Sequence, residues 1–126
     1  MRKQVGVFHY PVEIGDASGQ HFELTNPLVD TGALYSQFPA SFLERLGYVS
    51  NAVRSFRLAD GSMIERRIGP VTVRINGEVQ PVICIFGGEN SPELLGATTM
   101  EVFSLAPDPV NETLIPVVAS LMSEYL

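Results

Sequence analysis

Apolar residues occur in short runs along the chain, and glycine or proline interrupts these runs repeatedly. This pattern is typical of many short strands rather than of long helices, so it predicts a mostly β fold. Val5–Ile14 alternates loosely between apolar and polar residues, Gly15–Gly19 has turn chemistry, and Phe22–Val29 resumes the strand pattern. We therefore predict an opening hairpin whose second strand runs to Val29.

Two more hairpins are predicted in the middle of the chain. Ser55–Ile68 has strand-like ends around Ala59-Asp60-Gly61-Ser62, and Asp-Gly is one of the stronger hairpin signals. Its flanks are rich in charged residues, so this hairpin is predicted to protrude into solvent. Val71–Ile75 and Val79–Phe86 flank Asn76-Gly77, which is typical of a two-residue turn.

Helical patterns are few and short. Pro39–Leu46 has a proline in its first turn and apolar residues at helical spacing, and Gly47 provides a C-terminal stop. Ser91-Pro92-Glu93 resembles a helix start, but the apolar residues that follow favour a strand over Leu94-Leu95-Gly96. A second short helix is then predicted over Ala97–Phe103.

The end of the chain predicts one more strand pair. Val102–Ala106 and Leu114–Val118 flank the turn residues Pro107-Asp108-Pro109. The tail 119–126 is apolar enough to dock, with a partner subunit as one candidate surface. At 126 residues the whole chain, 1–126, has the common size of a single domain.

Composition narrows the function classes. A hydrophobic fraction of 45% against 17% charged residues argues for a folded domain. The formal net charge of -6 argues against nucleic acid as a partner, since that binding rests on Lys and Arg. Cys84 is the only cysteine, so it cannot form an intramolecular disulfide, and its apolar context predicts burial. No export signal or membrane span is visible, so we expect a cytoplasmic protein with no membrane partner.

The candidate chemistry centres on Leu28-Val29-Asp30-Thr31-Gly32-Ala33. An apolar strand end that delivers a carboxylate into a tight turn is a poor structural choice and a good catalytic one. The structural alternative is that Asp30 serves only as a turn or N-cap residue. The apolar approach to Asp30 favours the catalytic interpretation.

Four segments of the chain resemble the retropepsin-like aspartic proteases, in particular their small bacterial single-domain members. The segments are residues 28–47 (LVDTGALYSQFPASFLERLG), 58–61 (LADG), 94–101 (LLGATTME) and 108–117 (DPVNETLIPV). The first is the most specific. The resemblance implies a closed, mostly β acid-protease barrel with one or two short helices and a flap hairpin over the cleft.

The resemblance also implies roles for individual residues. Asp30 is the expected catalytic acid, Thr31 is expected to lock the loops of two halves together, and Gly32 lets the backbone approach the carboxylate. Ala33 completes the active-site loop. The expected flap tip is Ala59, Asp60, Gly61 and Ser62, and the expected support loop behind the active-site loop is Leu94, Leu95 and Gly96.

The chemistry of this family requires two carboxylates, whereas the chain has one Asp-Thr-Gly and no Asp-Ser-Gly. Two carboxylates about 3 Å apart cannot both ionise comfortably, so the pair holds one proton, as is known for aspartic proteases. One carboxylate then activates a water while the other protonates the substrate carbonyl or the departing amine. A homodimer that places Asp30 against its symmetry mate would supply the second carboxylate. The expected function is therefore a homodimeric aspartic endopeptidase that acts on polypeptides without a cofactor.

Two positions differ from the retroviral members of the family. Those members commonly carry a second aspartate directly after the Asp-Thr-Gly-Ala run, where it binds the substrate backbone, and this chain has Leu34 there. The retroviral flap is rich in glycine, whereas Ala59-Asp60-Gly61-Ser62 contains one. Substrate anchoring and flap movement are therefore expected to differ.

Other candidate sites are weaker. His9 and His21 have no cysteine or carboxylate at metal-ligand spacing, so no metal is expected. Ser36 and Ser41 have no histidine nearby in sequence, and they lie where a turn and a helix start need hydroxyl groups, which argues against a Ser-His-Asp enzyme. Arg66-Arg67 is interpreted as part of a solvated hairpin face. Contact of these arginines with a substrate is the less favoured interpretation.

Two alternatives to an active protease stay open. The chain could be a non-catalytic peptide-binding or assembly module that retains the protease fold and uses its cleft or a sheet edge. It could also be an enzyme that is latent as isolated, because its dimer is weak or its flaps are shut.

Overall fold

A curled sheet dominates the protein, and the computed structural model describes residues 8–118 and 120. Its strands are β1 (Val12–Gly15), β2 (Phe22–Thr25), β3 (Leu28–Val29), β4 (Ser36–Pro39), β5 (Ala52–Arg57), β6 (Met63–Ile75), β7 (Glu78–Gly87) and β8 (Leu94–Leu95). The strand order is β2-β1-β6-β7-β4-β8-β3, and β5 pairs with β6 outside this path. A separate two-stranded sheet contains β9 (Leu105–Asp108) and β10 (Thr113–Pro116), and the helices are α1 (Ala40–Arg45) and α2 (Ala97–Val102).

The opening hairpin is confirmed over β1 and β2, which pair antiparallel from Val12 opposite Thr25 to Gly15 opposite Phe22. Residues 5–7 of the predicted first strand lie outside the described residues. The predicted second strand is too long, because the chain leaves the hairpin after Thr25. Pro27 follows, and a proline has no N–H with which to continue a strand ladder. β3 then pairs in parallel with β8 instead.

The two middle hairpins are confirmed, and they share one strand. β6 runs without interruption for 13 residues and pairs with both β5 and β7. The predicted strands end at Ile68 and resume at Val71, whereas β6 continues through Pro70, where β7 is its only neighbouring strand among the described residues. Pairing with β5 ends at Ile68, and pairing with β1 begins at Val73. A proline is tolerated there because no ladder hydrogen bond is lost on that side.

Both predicted helices are present. α1 follows Pro39, buries Leu43, and ends before Gly47, whose φ of 96° needs a residue without a side chain. α2 follows the predicted short strand β8. Strand β4 was not predicted from the sequence; it pairs in parallel with β7 and touches β8, so it lies inside the sheet.

The final strand pair is confirmed, but its turn is displaced. β9 and β10 are antiparallel, with Asp108 opposite Thr113, so the turn spans 109–112 rather than Pro107-Asp108-Pro109. The Asp108 carboxylate accepts hydrogen bonds from the backbone N–H groups of Val110 and Asn111, at 3.1 and 3.3 Å. Asp108 therefore begins the turn instead of forming its centre. Of the tail 119–126, only Ser120 lies within the described residues.

One continuous core packs against the curled sheet. It includes side chains from both helices, from β1, β4, β6 and β7, and from the segment before β1: Phe8, Val12, Ile14, Phe38, Leu43, Val71, Val73, Ile75, Cys84, Phe86, Met100 and Phe103. The expected mostly β class is confirmed, as a curled half-barrel with two short helices. Each of these helices has six residues, and no described helix has the length and apolar character needed to cross a membrane.

Candidate active site

The Asp-Thr-Gly loop begins where β3, the last strand in the order of the sheet, ends. Val29 and its parallel partner Leu95 are 5% and 1% exposed, and the backbone N–H of Asp30 donates to the Leu95 carbonyl at 3.0 Å. The β3–β8 pair thus brings the expected support loop Leu94–Gly96 directly against the expected catalytic residue. Asp30 itself is half-buried, at the boundary between the core and solvent.

A tight turn fixes the Asp30 carboxylate. The Gly32 N–H donates to Asp30 Oδ1 at 2.9 Å, and the Ala33 N–H donates to the Asp30 carbonyl at 3.2 Å. A Cβ at position 32 would lie 3.2 Å from Oδ1, so glycine permits this close approach. The bond from the Gly32 N–H to Asp30 Oδ1 also forms an Asx turn. Oδ1 therefore has the structural role of a turn residue, which is the alternative to the catalytic interpretation. Among the described residues no group donates to Oδ2, which leaves that oxygen available to a ligand.

Thr31 lies beside Asp30 with an exposed side chain. Within residues 8–118 and 120, its hydroxyl has no hydrogen-bond partner. The expected role of Thr31, to lock two loops together across a dimer, stays a prediction.

The start of α2 holds the second half of the active-site loop. The N–H groups of Ala97 and Thr98 donate to the carbonyls of Ala33 and Leu34, at 2.8 and 3.0 Å. The Thr98 hydroxyl adds a 2.8 Å bond to the Leu34 carbonyl. These bonds join the loop to a packed helix, which restricts movement of the backbone around Asp30.

A buried pair of hydroxyl groups lies beneath this loop, and the sequence did not predict it. The side-chain oxygens of Ser36 and Thr99 are 2.6 Å apart, and the Gly96 N–H donates to the Ser36 hydroxyl at 2.9 Å. Ser36 was assigned to a turn, but it is fully buried in β4. No periodicity around Ser36 indicates a half-buried strand, because Tyr35, Gln37 and Pro39 do not form a polar face.

Gly96 is required by close packing. A Cβ at this position would lie 2.5 Å from the Tyr35 carbonyl carbon and 2.8 Å from the Ser36 nitrogen. Real Cβ atoms do not approach backbone atoms so closely, so only glycine fits without a shift of the active-site loop. This contact gives a steric reason for the glycine in Leu94-Leu95-Gly96.

The β5–β6 hairpin carries the expected flap tip. Its turn is closed by bonds from the Leu58 N–H to the Ser62 carbonyl, at 2.8 Å, and from the Gly61 N–H to the Leu58 carbonyl, at 2.9 Å. Asp60 Oδ1 accepts from the Ser62 hydroxyl at 2.6 Å and from its N–H at 2.8 Å. These hydrogen bonds, the hydroxyl's first, lower the pKa of Asp60. Ala59 and Ser62 are exposed at the tip, as expected of a protruding hairpin.

A cavity of about 340 Å³ lies between the active-site loop and the β5–β6 hairpin. The loop contributes Gly32, Ala33, Leu34 and Tyr35; the hairpin contributes Phe56, Arg57, Leu58, Ile64 and Arg66; and Gln37, Ile85 and Leu94 complete the wall. Tyr35 and Phe56 meet edge to face, with ring centroids 6.1 Å apart. The structure thus brings the loop and the hairpin together around one largely apolar space, next to Asp30.

The other candidate residues form no second site. Within the described ranges, no group of three His, Cys, Asp or Glu side chains lies close enough to hold a metal ion. His9 and His21 are exposed, and Ser41 lies on the exposed face of α1. Cys84 is fully buried, and burial raises the pKa of its thiol to about 12, so it is a poor nucleophile.

Comparison with known proteins adds no family to this geometry: no protein-family model matches the chain, and no curated protein matches it either.

Proposed function

We propose that the protein is an aspartic endopeptidase, with Asp30 as its catalytic acid and a retropepsin-like barrel as its fold. The observation that carries the proposal is the Asp30 loop. Asp30 directly follows a buried strand, and the Gly32 N–H donates to its Oδ1. Among the described residues no group donates to Oδ2, and a cavity that fits peptide side chains lies beside the loop. A carboxylate at such a boundary is suited to proton transfer.

The barrel is supported by backbone bonds at the end of the sheet. The Val29 N–H donates to the Phe8 carbonyl at 2.9 Å, and the Tyr10 N–H donates to the Pro27 carbonyl at 3.0 Å. The chain just before β1 therefore bonds to β3, which is the far end of the strand order. In the proposed fold this contact closes the curled sheet.

The reaction requires a second carboxylate, and we assign it to Asp30 of a second copy. One carboxylate takes a proton from water as the water oxygen attacks the peptide carbonyl carbon, and the other donates its proton to the carbonyl oxygen. Collapse of the tetrahedral intermediate breaks the C–N bond as the carboxyl that took the water proton protonates the nitrogen, while the other carboxylate takes back a proton from a hydroxyl of the intermediate. The β5–β6 hairpins act as flaps that cover the substrate.

The direct test compares wild type with Asp30→Asn on a diverse peptide mixture at mildly acidic pH, with cleavage followed by mass spectrometry. Loss of general acid-base catalysis predicts a decrease of about a hundredfold to ten-thousandfold. Asp16→Asn is the matched control, because Asp16 is a surface carboxylate in the turn of the first hairpin and lies outside the site. Equal cleavage by wild type and Asp30→Asn would remove Asp30 from the mechanism.

The homodimer is tested by mixing. An excess of Asp30→Asn over wild type should suppress wild-type activity, because mixed dimers contain one functional aspartate. Specific activity should also rise with protein concentration if the dimer is weak. A strictly monomeric protein that binds peptides without cleaving them would instead favour a binding module.

A further inference from the structure

Three arginines on the β5–β6 hairpin form no ion pair with any carboxylate in the described part of the chain. Six arginines lie within the described ranges, and three of them form ion pairs: Arg45 with Glu23, Arg67 with Glu44, and Arg74 with Glu13. The other three, Arg54, Arg57 and Arg66, donate only to backbone carbonyls among the described residues. Every arginine within the described ranges that has no carboxylate partner there therefore lies on the β5–β6 hairpin, which is the proposed flap.

Two of these arginines stand directly opposite each other. In the β5–β6 register, Arg54 pairs with Arg66, two positions from the Phe56–Ile64 pair. Because side chains alternate across a strand, all four lie on the same face, and three of them, Phe56, Ile64 and Arg66, line the cavity. Like charges directly opposite destabilise a strand pair, so this arrangement gains from an anion that lies between the two guanidinium groups.

The cavity itself offers no such anion. Arg57 and Arg66 line it, its other walls are mainly apolar, and none of its lining residues is acidic. A wider groove of about 520 Å³ also touches Arg66, but Glu65 and Glu89 share that groove. An acidic ligand is therefore better accommodated in the cavity beside the active-site loop.

We propose that Arg66, together with Arg54 on the same face, selects polypeptide substrates that carry an acidic side chain beside an apolar one. The apolar side chain fills the cavity against Phe56 and Ile64, and the aspartate or glutamate pairs with the arginines. This inference rests on the proposed peptidase function, for which it defines the substrate class. A nucleic-acid ligand is disfavoured, because the net charge of -6 on the chain repels a polyanion and three arginines do not offset that repulsion.

The experiment uses two peptides that differ only in Glu or Gln next to an apolar residue at the cleavage site, chosen from the peptide-mixture products. Wild type should cleave the Glu peptide with about tenfold higher kcat/KM, which corresponds to one charge-assisted pair. Arg66→Gln should remove most of this preference, and Arg66→Glu should abolish it, because the new carboxylate would pair with Arg54 directly opposite. The preference should also decrease with added salt.

Arg67→Gln is the matched control, because it removes the same charge from the same strand on the opposite face, where Arg67 pairs with Glu44. It should retain the Glu preference. Equal cleavage of the Glu and Gln peptides by wild type would overturn the proposed selection while leaving the peptidase proposal intact.

Binding of the same peptides to Asp30→Asn separates selection from catalysis. Tighter binding of the Glu peptide, lost in the Asp30→Asn/Arg66→Gln double variant, supports the selection even if wild type cleaves nothing. The absence of both cleavage and Glu-selective binding overturns it. Equally tight binding of a single-stranded oligonucleotide also overturns it, because the arginines would then form a general polyanion surface.

Discussion

The hydroxyl oxygens of Ser36 and Thr99 lie 2.6 Å apart, with both side chains fully buried, although 63 positions separate them in the chain. Ser36 also accepts the Gly96 N–H, so one hydroxyl joins β4, β8 and α2 beneath the Asp30 loop. Ser36→Ala leaves the Gly96 N–H and the Thr99 hydroxyl without this partner. We expect a loss of about 1–3 kcal/mol in the free energy of unfolding, measured in urea.

Ser41→Ala is the control for this prediction, because Ser41 is exposed and its change should stay within about 0.5 kcal/mol. The double variant Ser36→Ala/Thr99→Val should lose less than the sum of the two single variants, since the second change removes a hydroxyl that is already unpaired. Equal stability of Ser36→Ala and Ser41→Ala would contradict a stabilising role for the hydrogen bonds of Ser36 with Thr99 and Gly96.

Gly96→Ala should destabilise the protein through steric overlap rather than through backbone strain. The new Cβ would lie 2.5 Å from the Tyr35 carbonyl carbon, which is backbone and cannot rotate away. We expect a loss of about 1–3 kcal/mol in urea unfolding, together with reduced peptide cleavage. In Gly88→Ala the new Cβ meets only the Ser91 hydroxyl at 3.5 Å, so this control should be nearly neutral.

Much of the fold follows from local sequence signals. Asp60-Gly61 and Asn76-Gly77 each predict a hairpin turn, and both turns are present between the expected strands. Gly47 likewise predicts the end of α1. These elements are set by residues within a few positions of one another, where turn chemistry and periodicity are decisive.

The errors occur where distant parts of the chain decide the structure. The predicted strands stop at Ile68 and restart at Val71, but β6 is continuous, and Pro70 is tolerated because β5 and β1 leave a gap beside it. β4 has no strong pattern of its own and exists because β7 and β8 pair with it. In the candidate site, the apolar approach that singles out Asp30 is visible in the sequence, whereas the Ser36–Thr99 pair depends on a contact that no local pattern encodes.

Asp60 should titrate below the ordinary aspartate pKa of about 3.9. The Ser62 hydroxyl is the largest cause of the lowered pKa, followed by the Ser62 N–H. Since the folded pKa is lower than the unfolded pKa, the ionised carboxylate stabilises the hairpin turn above about pH 4, and this contribution is lost as the pH falls through the folded pKa. Ser62→Ala should raise the pKa toward its ordinary value, as measured by NMR titration of the Asp60 carboxyl carbon.

Ser18→Ala provides a matched control for the Asp60 titration. The Ser18 hydroxyl bonds to Asp16 at 2.7 Å and lowers the pKa of that residue in the same way. Ser18→Ala should therefore raise the pKa of Asp16 and leave Asp60 unchanged. An Asp60 midpoint that is the same in wild type and Ser62→Ala would contradict the assignment.

The Cys84 thiol should be unreactive in the folded protein. It is fully buried between β6 and β4, and burial raises its pKa to about 12, so almost no thiolate forms at pH 8. A disulfide reagent should label it only through unfolding, and one equivalent should react at once in denaturant. Rapid labelling without denaturant would contradict the burial of Cys84.

Contact between Tyr35 and Phe56 should hold the β5–β6 hairpin against the active-site loop. Their rings meet edge to face at an interplanar angle of 87°, and such pairs contribute about 0.5–1.5 kcal/mol beyond their buried area. Phe56→Leu keeps an apolar side chain but removes the ring, so amide hydrogen exchange in 52–68 should accelerate while the core strands change little. Val53→Ala, on the exposed face of β5, is the control and should leave this exchange nearly unchanged. In a Tyr35→Leu background the Phe56→Leu effect should shrink, because the pair is already broken; an undiminished effect would show that Phe56 holds the hairpin through other contacts.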